Sequence, residues 1–108
     1  MAKQFYNVEF PTPGEDKTPK TIHFDKPVKK ICIHFNNHLV AFSVGAVQDL
    51  TNYFVCNVYF DNVIDFQSAN TGKGVTDITL WPFSGSNAIY VTVSVIEYGS
   101  DGDNEYFK

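Results

Sequence analysis

Residues 88–98, AIYVTVSVIEY, limit what this chain can fold into more than any other stretch. Ile89, Val91, Val93 and Val95 fall on one side of a two-residue period; Tyr90, Thr92, Ser94, Ile96 and Tyr98 fall on the other. A period of two is the signature of a strand, and β-branched and aromatic residues suit a pleated, half-buried surface. The first side reads as core. The second carries hydroxyls, phenols and one Ile, which suits either plain surface or a face that meets a partner.

The same reading extends along the chain and gives eight strand-like segments. Residues 4–10 set Tyr6, Val8 and Phe10 inward, and a loop with three prolines, PTPGEDKTP, follows. Residues 20–24 bury Ile22 and Phe24; Asp25-Lys26-Pro27 reads as a turn; residues 30–35 bury Ile31, Ile33 and Phe35. Asn36-Asn37 reads as a hairpin signal, because Asn tolerates positive φ, and residues 38–44 resume with Val40, Phe42 and Val44. The AVQDL stretch that follows suits a helical turn or an irregular crossover. Residues 53–60, YFVCNVYF, form a long strand with Phe54, Cys56, Val58 and Phe60 on one face, and Asp61-Asn62 reads as a second hairpin. Residues 63–68 and 75–81 complete the set, the latter ending at Trp81 before Pro82, with a flexible turn ANTGKG between them.

No segment has a sustained helical period and no repeat appears. Strands at this spacing with turn chemistry between them point to a sandwich or small barrel. The expected fold is all-β: a single-domain antiparallel β-sandwich of about eight strands, jelly-roll-like, over residues 1–99, with an acidic and aromatic tail over 100–108. An immunoglobulin-like pattern does not fit, since Trp81 follows both cysteines. At 108 residues the chain is one domain, long enough for a core without metals or disulfides.

Charge narrows the function classes. All eight basic residues are Lys, the net charge is −4, and there is no Arg to form bidentate contacts with phosphates or guanine. Nucleic acid is therefore not an expected partner. No apolar run approaches the ~20 residues of a membrane helix, and the start MAKQFYNVEF is not expected to be a signal peptide. Charge is uneven: residues 1–30 carry six Lys against four acids, whereas residues 31–108 carry two Lys against eight. Such asymmetry suits complementary contacts between copies as well as a solvated surface. Cys32 and Cys56 sit inside apolar segments and read as buried free thiols.

Chemistry-bearing constellations are thin. His23, His34 and Cys32 lack a fourth zinc ligand. Asp101, Asp103 and Glu105 alternate as in a calcium loop, but without the following Gly and late Glu. None of the serines lies in a nucleophile-elbow motif. Asp61, Asp65 and Asp77 stand where strand turns and exposed faces carry acids anyway, and Gly-Lys-Gly in ANTGKG lacks the length of a phosphate-binding loop. A non-enzymatic protein without cofactor or metal is expected.

Aromatics are the remaining signal, at 16% of residues. In texture, KTIHFDKPVKKICIHF and NAIYVTVSVIEYG resemble small β-sandwich accessory proteins of phage virions, such as head-decoration or fibre-base proteins. That resemblance implies a capsid decoration or fibre-attachment role in the virion after assembly in the host cytoplasm. It also implies symmetric self-assembly and a capsid or tail protein as partner. The candidate contacts are Trp81, Tyr90, Thr92 and Tyr98 on the strands and Tyr106 and Phe107 in the tail. The alternative is an extracellular lectin or carbohydrate-binding module, with Trp81, Tyr53, Tyr59 or Tyr98 as the stacking platform.

Overall fold

The computed structural model describes residues 3–66 and 74–99. Among them the chain is all-β, with seven antiparallel strands in one main sheet and no helix. The strands are β1 (Phe5–Phe10), β2 (Lys20–Phe35), β3 (Leu39–Val44), β4 (Phe54–Asn57), β5 (Val63–Asp65), β6 (Val75–Ser84) and β7 (Ile89–Tyr98). They run in the order β1-β7-β2-β6-β3-β4, and β5 adds to β2.

Seven strands replace the expected eight because Asp25-Lys26-Pro27 is not a turn. The chain runs through it as one bent 16-residue strand. Before the bend, Lys20–His23 pair with Leu80–Asp77 of β6; after it, Ile31–Phe35 pair with Val95–Val91 of β7, and Lys30–Cys32 pair with β5. Between His23 and Val28 the strand takes five steps while β6 takes two, so the extra residues bulge out. Their polar groups are met from outside the ladder. The Asp25 amide donates to the Tyr6 hydroxyl at 2.9 Å, the Lys3 amide donates to the Asp25 carboxylate at 2.9 Å, and the Gly99 amide donates to the Pro27 carbonyl at 2.9 Å. A proline, which has no amide to donate, is tolerated at such a bulge.

Neither asparagine pair closes a hairpin. β3 pairs with β4 and β6, not β2, and β5 pairs with β2, not β4. Both pairs sit on crossovers, where their amides act as strand extensions. Asn36 Oδ1 accepts from the Tyr90 amide at 2.8 Å, and Asn37 Nδ2 donates to the Ala88 carbonyl at 2.8 Å. The left-handed residue here is His38, with φ 57°. Asn62 Nδ2 reaches the carbonyls of Asn57, Phe60 and Ile33 at 2.9, 3.1 and 3.3 Å, and its Oδ1 accepts from the Asn57 amide at 3.3 Å.

The inward faces read from alternation hold over most strands. Tyr6, Phe10, Ile22, Phe24, Ile31, Ile33, Val40, Phe42, Ile89, Val91 and Val93 are buried in one core cluster. Each fully buried Phe or Ile contributes about 1.5–3 kcal/mol of transfer free energy. Phe42 is the centre of an aromatic group, stacked on Phe54 at 5.3 Å and edge-on to Phe66 at 6.4 Å. Phe54 nonetheless lies at the open rim, because β4 ends the strand order and no further strand covers it among the described residues. β4 is also shorter than expected: Val58, Tyr59 and Phe60 leave the ladder in a turn.

Both cysteines are free and buried. Burial pushes the Cys56 thiol from an ordinary value of 9.0 up to about 11. The folded thiol thus keeps a proton that the unfolded chain has lost, so its stabilisation is complete below pH 9.0 and drains away as pH climbs to about 11. The denaturation midpoint should fall across that window, less steeply in Cys56→Ala. Native Cys56 should resist iodoacetamide at mildly alkaline pH and react once urea unfolds the chain, as mass spectrometry would read; rapid native labelling would contradict the burial.

Candidate functional site

The middle of β3 and β6 is buried on both faces, and the second burial builds the candidate site. Val40 and Phe42 of β3 and Ile78 and Leu80 of β6 point into the core; Ala41, Ser43, Thr79 and Trp81 point the other way and are buried too. The loop over residues 45–52, neither helical nor paired, covers part of this outer face. Thr79 Oγ1 donates to the Gly45 carbonyl at 2.9 Å, Thr21 Oγ1 donates to the Ala46 carbonyl at 3.2 Å, and Ser43 Oγ accepts from the Asp49 amide at 3.0 Å. Every buried polar side chain among the described residues has a partner, so the loop is fastened and does not merely rest there.

The same loop delivers Tyr53 onto the sheet. Its ring lies 5.5 Å from that of Trp81 and 6.0 Å from that of Phe83. Val55 stands beside them, since Ala41 pairs with Val55 on one side and Trp81 on the other. Trp81 is therefore the floor of an aromatic face, only 6% exposed, and not an open platform at a strand end. The reason is that β6 continues through Pro82 to Ser84; pairing to β2 stops at Leu80, and at Pro82 only β3 runs alongside. The exposed members are Tyr53 at 37%, Val55 at 44% and Phe83 at 44%, and none of them is charged. Val55 and Phe83 escaped the sequence reading. The signal was the W-P-F triplet: a strand running through the proline puts Trp81 and Phe83 on one face.

The other sequence candidates do not share this face. Tyr90 is exposed on the outer side of β7, and Thr92 beside it is half-buried with its Oγ1 donating to Asn7 Oδ1 at 2.8 Å. They border a shallow groove of about 320 Å³ that Glu9 also lines. Tyr98 has changed sides. Val95 pairs with Ile31 and Glu97 with Lys30, so Ile96 is an extra residue that reverses the alternation, and Tyr98 pairs with buried Val28 and packs on the core. Its hydroxyl donates to the Lys3 carbonyl at 3.2 Å. Tyr106 and Phe107, the acidic tail and most of ANTGKG lie outside the described residues.

Of the titratable groups, His23 Nδ1 and Asp77 Oδ1 meet at 2.7 Å across β2 and β6. Cys32 Sγ lies 3.1 Å from His34 Nε2 on β2. Burial, and then the Asp61 carboxylate, raise the Cys32 thiol above its ordinary range, which favours the thiol over the thiolate a nucleophile needs. No group of three or more His, Cys, Asp or Glu among the described residues is placed to hold a metal ion. No helix among them is long and apolar enough to cross a membrane.

Neither family models, curated proteins nor solved structures match this chain.

Proposed function

We propose that this is a non-enzymatic assembly protein whose copies join through the uncharged face of Tyr53, Val55 and Phe83 at the β4 edge. The observation that carries the reading is that face: largely aromatic, uncharged at Tyr53, Val55 and Phe83, and running from β6 to Val55 on β4, the last strand of the sheet. Exposed apolar patches of this kind mark interaction sites, and an uncovered edge strand invites pairing. A second copy fits it best. Antiparallel pairing of an edge with its own copy is two-fold by construction, and an uncharged face places no like charges opposite each other across the axis. The net charge of −4 is borne elsewhere and keeps other faces apart.

The finer architecture belongs to the same proposal. β2 carries β6, β3 and β4 before its bend and β7, β1 and β5 after it. Side chains from both groups meet in one core cluster, which supports a two-layer, jelly-roll-like sandwich folded at Asp25–Pro27. A compact module that displays one sticky edge suits capsid decoration or fibre attachment, in keeping with the resemblance to phage virion accessory proteins. Tyr90 and Thr92, on β7, are left as the surface for a capsid or tail protein.

Val55→Lys tests the reading. Lys on an edge strand is a natural block to pairing, and Val55 is outside the core cluster. The variant should remain folded by circular dichroism yet elute as a monomer where the parent elutes as an oligomer. An elution unchanged by the substitution would remove this face from the interface.

A further inference from the structure

A second surface, next to the assembly face at the end of β4, has the make-up of a ligand site. A cleft of about 380 Å³ opens where the crossover after β2 meets the turn after β4, lined by Asn36, Asn37, His38, Asn57, Tyr59 and Ser84, with Leu39 and Val58 behind. No charged residue lines it. Its volume falls in the range of small-molecule sites.

The polar groups are held rigid at one end and open at the other. Asn37 is anchored by its Nδ2 on the Ala88 carbonyl, leaving Oδ1 as an acceptor. Asn57 is anchored by its Oδ1, which accepts from the Tyr59 amide at 2.9 Å, leaving Nδ2 as a donor. That bond, with the Phe60 amide donating to the Asn57 carbonyl at 3.1 Å, fixes the turn that displays Tyr59. Tyr59 is 88% exposed, and nothing in the core requires an aromatic there.

The backbone at the cleft is also special. His38 is the one non-glycine residue with positive φ among the described residues. Its ring occupies the space a side chain at position 85 would need: a Cβ on Gly85 would lie 2.1 Å from His38 Cδ2. Residues held in such conformations cluster at functional sites. Here it sets the His38 imidazole in the cleft lining, against Gly85.

We propose that this cleft binds a neutral saccharide. A sugar ring offers an apolar C–H face to a tyrosine and a rim of hydroxyls that both donate and accept, matching Asn37 Oδ1, Asn57 Nδ2, His38 and Ser84. Phosphorylated or uronic acid ligands find no cation in the lining.

The test is a titration of the isotope-labelled protein with glucose, galactose, mannose, N-acetylglucosamine and their disaccharides, followed by nuclear magnetic resonance. At least one should shift the side-chain amides of Asn37 and Asn57 and the backbone of His38 and Ser84, with millimolar affinity. Tyr59→Ala should weaken that binding about tenfold or more and leave the rest of the spectrum in place, since the ring is outside the core. Glucuronic acid should bind no better than glucose. Silence of the cleft resonances across the panel, shifts confined to another surface, or equal binding by Tyr59→Ala would each overturn the proposal.

Discussion

Gly85→Ala is expected to destabilise the protein by about 2–4 kcal/mol, the sum of left-handed strain and overpacking. Gly85 has φ +94°, and an added Cβ would lie 2.1, 2.2 and 2.8 Å from Cδ2, Cγ and Cβ of His38. The clash reaches the root of the His38 side chain, so rotating the ring does not relieve it. The two sources of strain are separable. Gly45 is also left-handed, at φ +115°, but an added Cβ there meets nothing within 4 Å. Gly45→Ala should therefore cost only about 1 kcal/mol, the conformational part alone. In a His38→Gly background, Gly85→Ala should fall toward that smaller value. Urea denaturation of the parent, the Gly85→Ala and His38→Gly variants and the double variant forms the necessary cycle; equal losses for Gly85→Ala in both backgrounds would mean that the His38 contact is not the cause.

Asn62→Ala should cost about 2–3 kcal/mol, a large effect for a side chain outside the core, because it leaves several part-buried backbone groups unpaired at once. The Asn62 carboxamide joins the carbonyls of Asn57, Phe60 and Ile33 and the Asn57 amide. The Asn62 carbonyl, which accepts from the Ile33 amide at 3.0 Å, survives the substitution. The lost bonds are those that hold the end of β4 and its turn against β2. The variant should therefore lose self-association along with stability, and hydrogen exchange should speed up first around Asn57 and Phe60. Asn62→Asp should be no milder at neutral pH, since it sets a carboxylate against three carbonyl oxygens. A loss below about 0.5 kcal/mol, the size of an ordinary surface change, would show that water replaces the carboxamide at little cost.

These two sites also show what local sequence conveys and what it does not. Alternation identified the inward faces of β1, of both halves of β2 and of β7 up to Val95, because burial on one side of a pleat leaves a period of two. It failed where a single extra residue shifts phase: Ile96 turns Tyr98 into the core, and nothing near it in the sequence marks the bulge. Asn36-Asn37 and Asp61-Asn62 were legible as breaks between strands, but neither the conformation nor what the breaks connect was. An asparagine that tolerates positive φ and one whose amide bridges two strands look alike in sequence, and the choice is made by distant partners, Ala88, Tyr90 and Ile33. Asp25-Lys26-Pro27 reads as a break for the same reason; only Tyr6, Lys3 and Gly99, all remote in sequence, make it a bend within one strand.

The candidate site was legible in residue type more than in position. An excess of aromatics pointed to a contact surface, and Trp81 and Tyr53 both belong to the proposed one. The exposure of Trp81 was not legible, because a loop with no periodic signal brings Tyr53 over it and leaves Tyr53 as the exposed ring. Val55 and Phe83 became visible only once β4 took the edge and β6 ran past Pro82.

Sedimentation equilibrium of the intact protein over a wide concentration range reads self-association through the β4 edge as mass. The weight-average mass should rise with concentration from the 12.2 kDa monomer to at least a dimer, and a Val55→Lys variant should stay at the monomer mass throughout. A parent protein that remains monomeric at every concentration would contradict it.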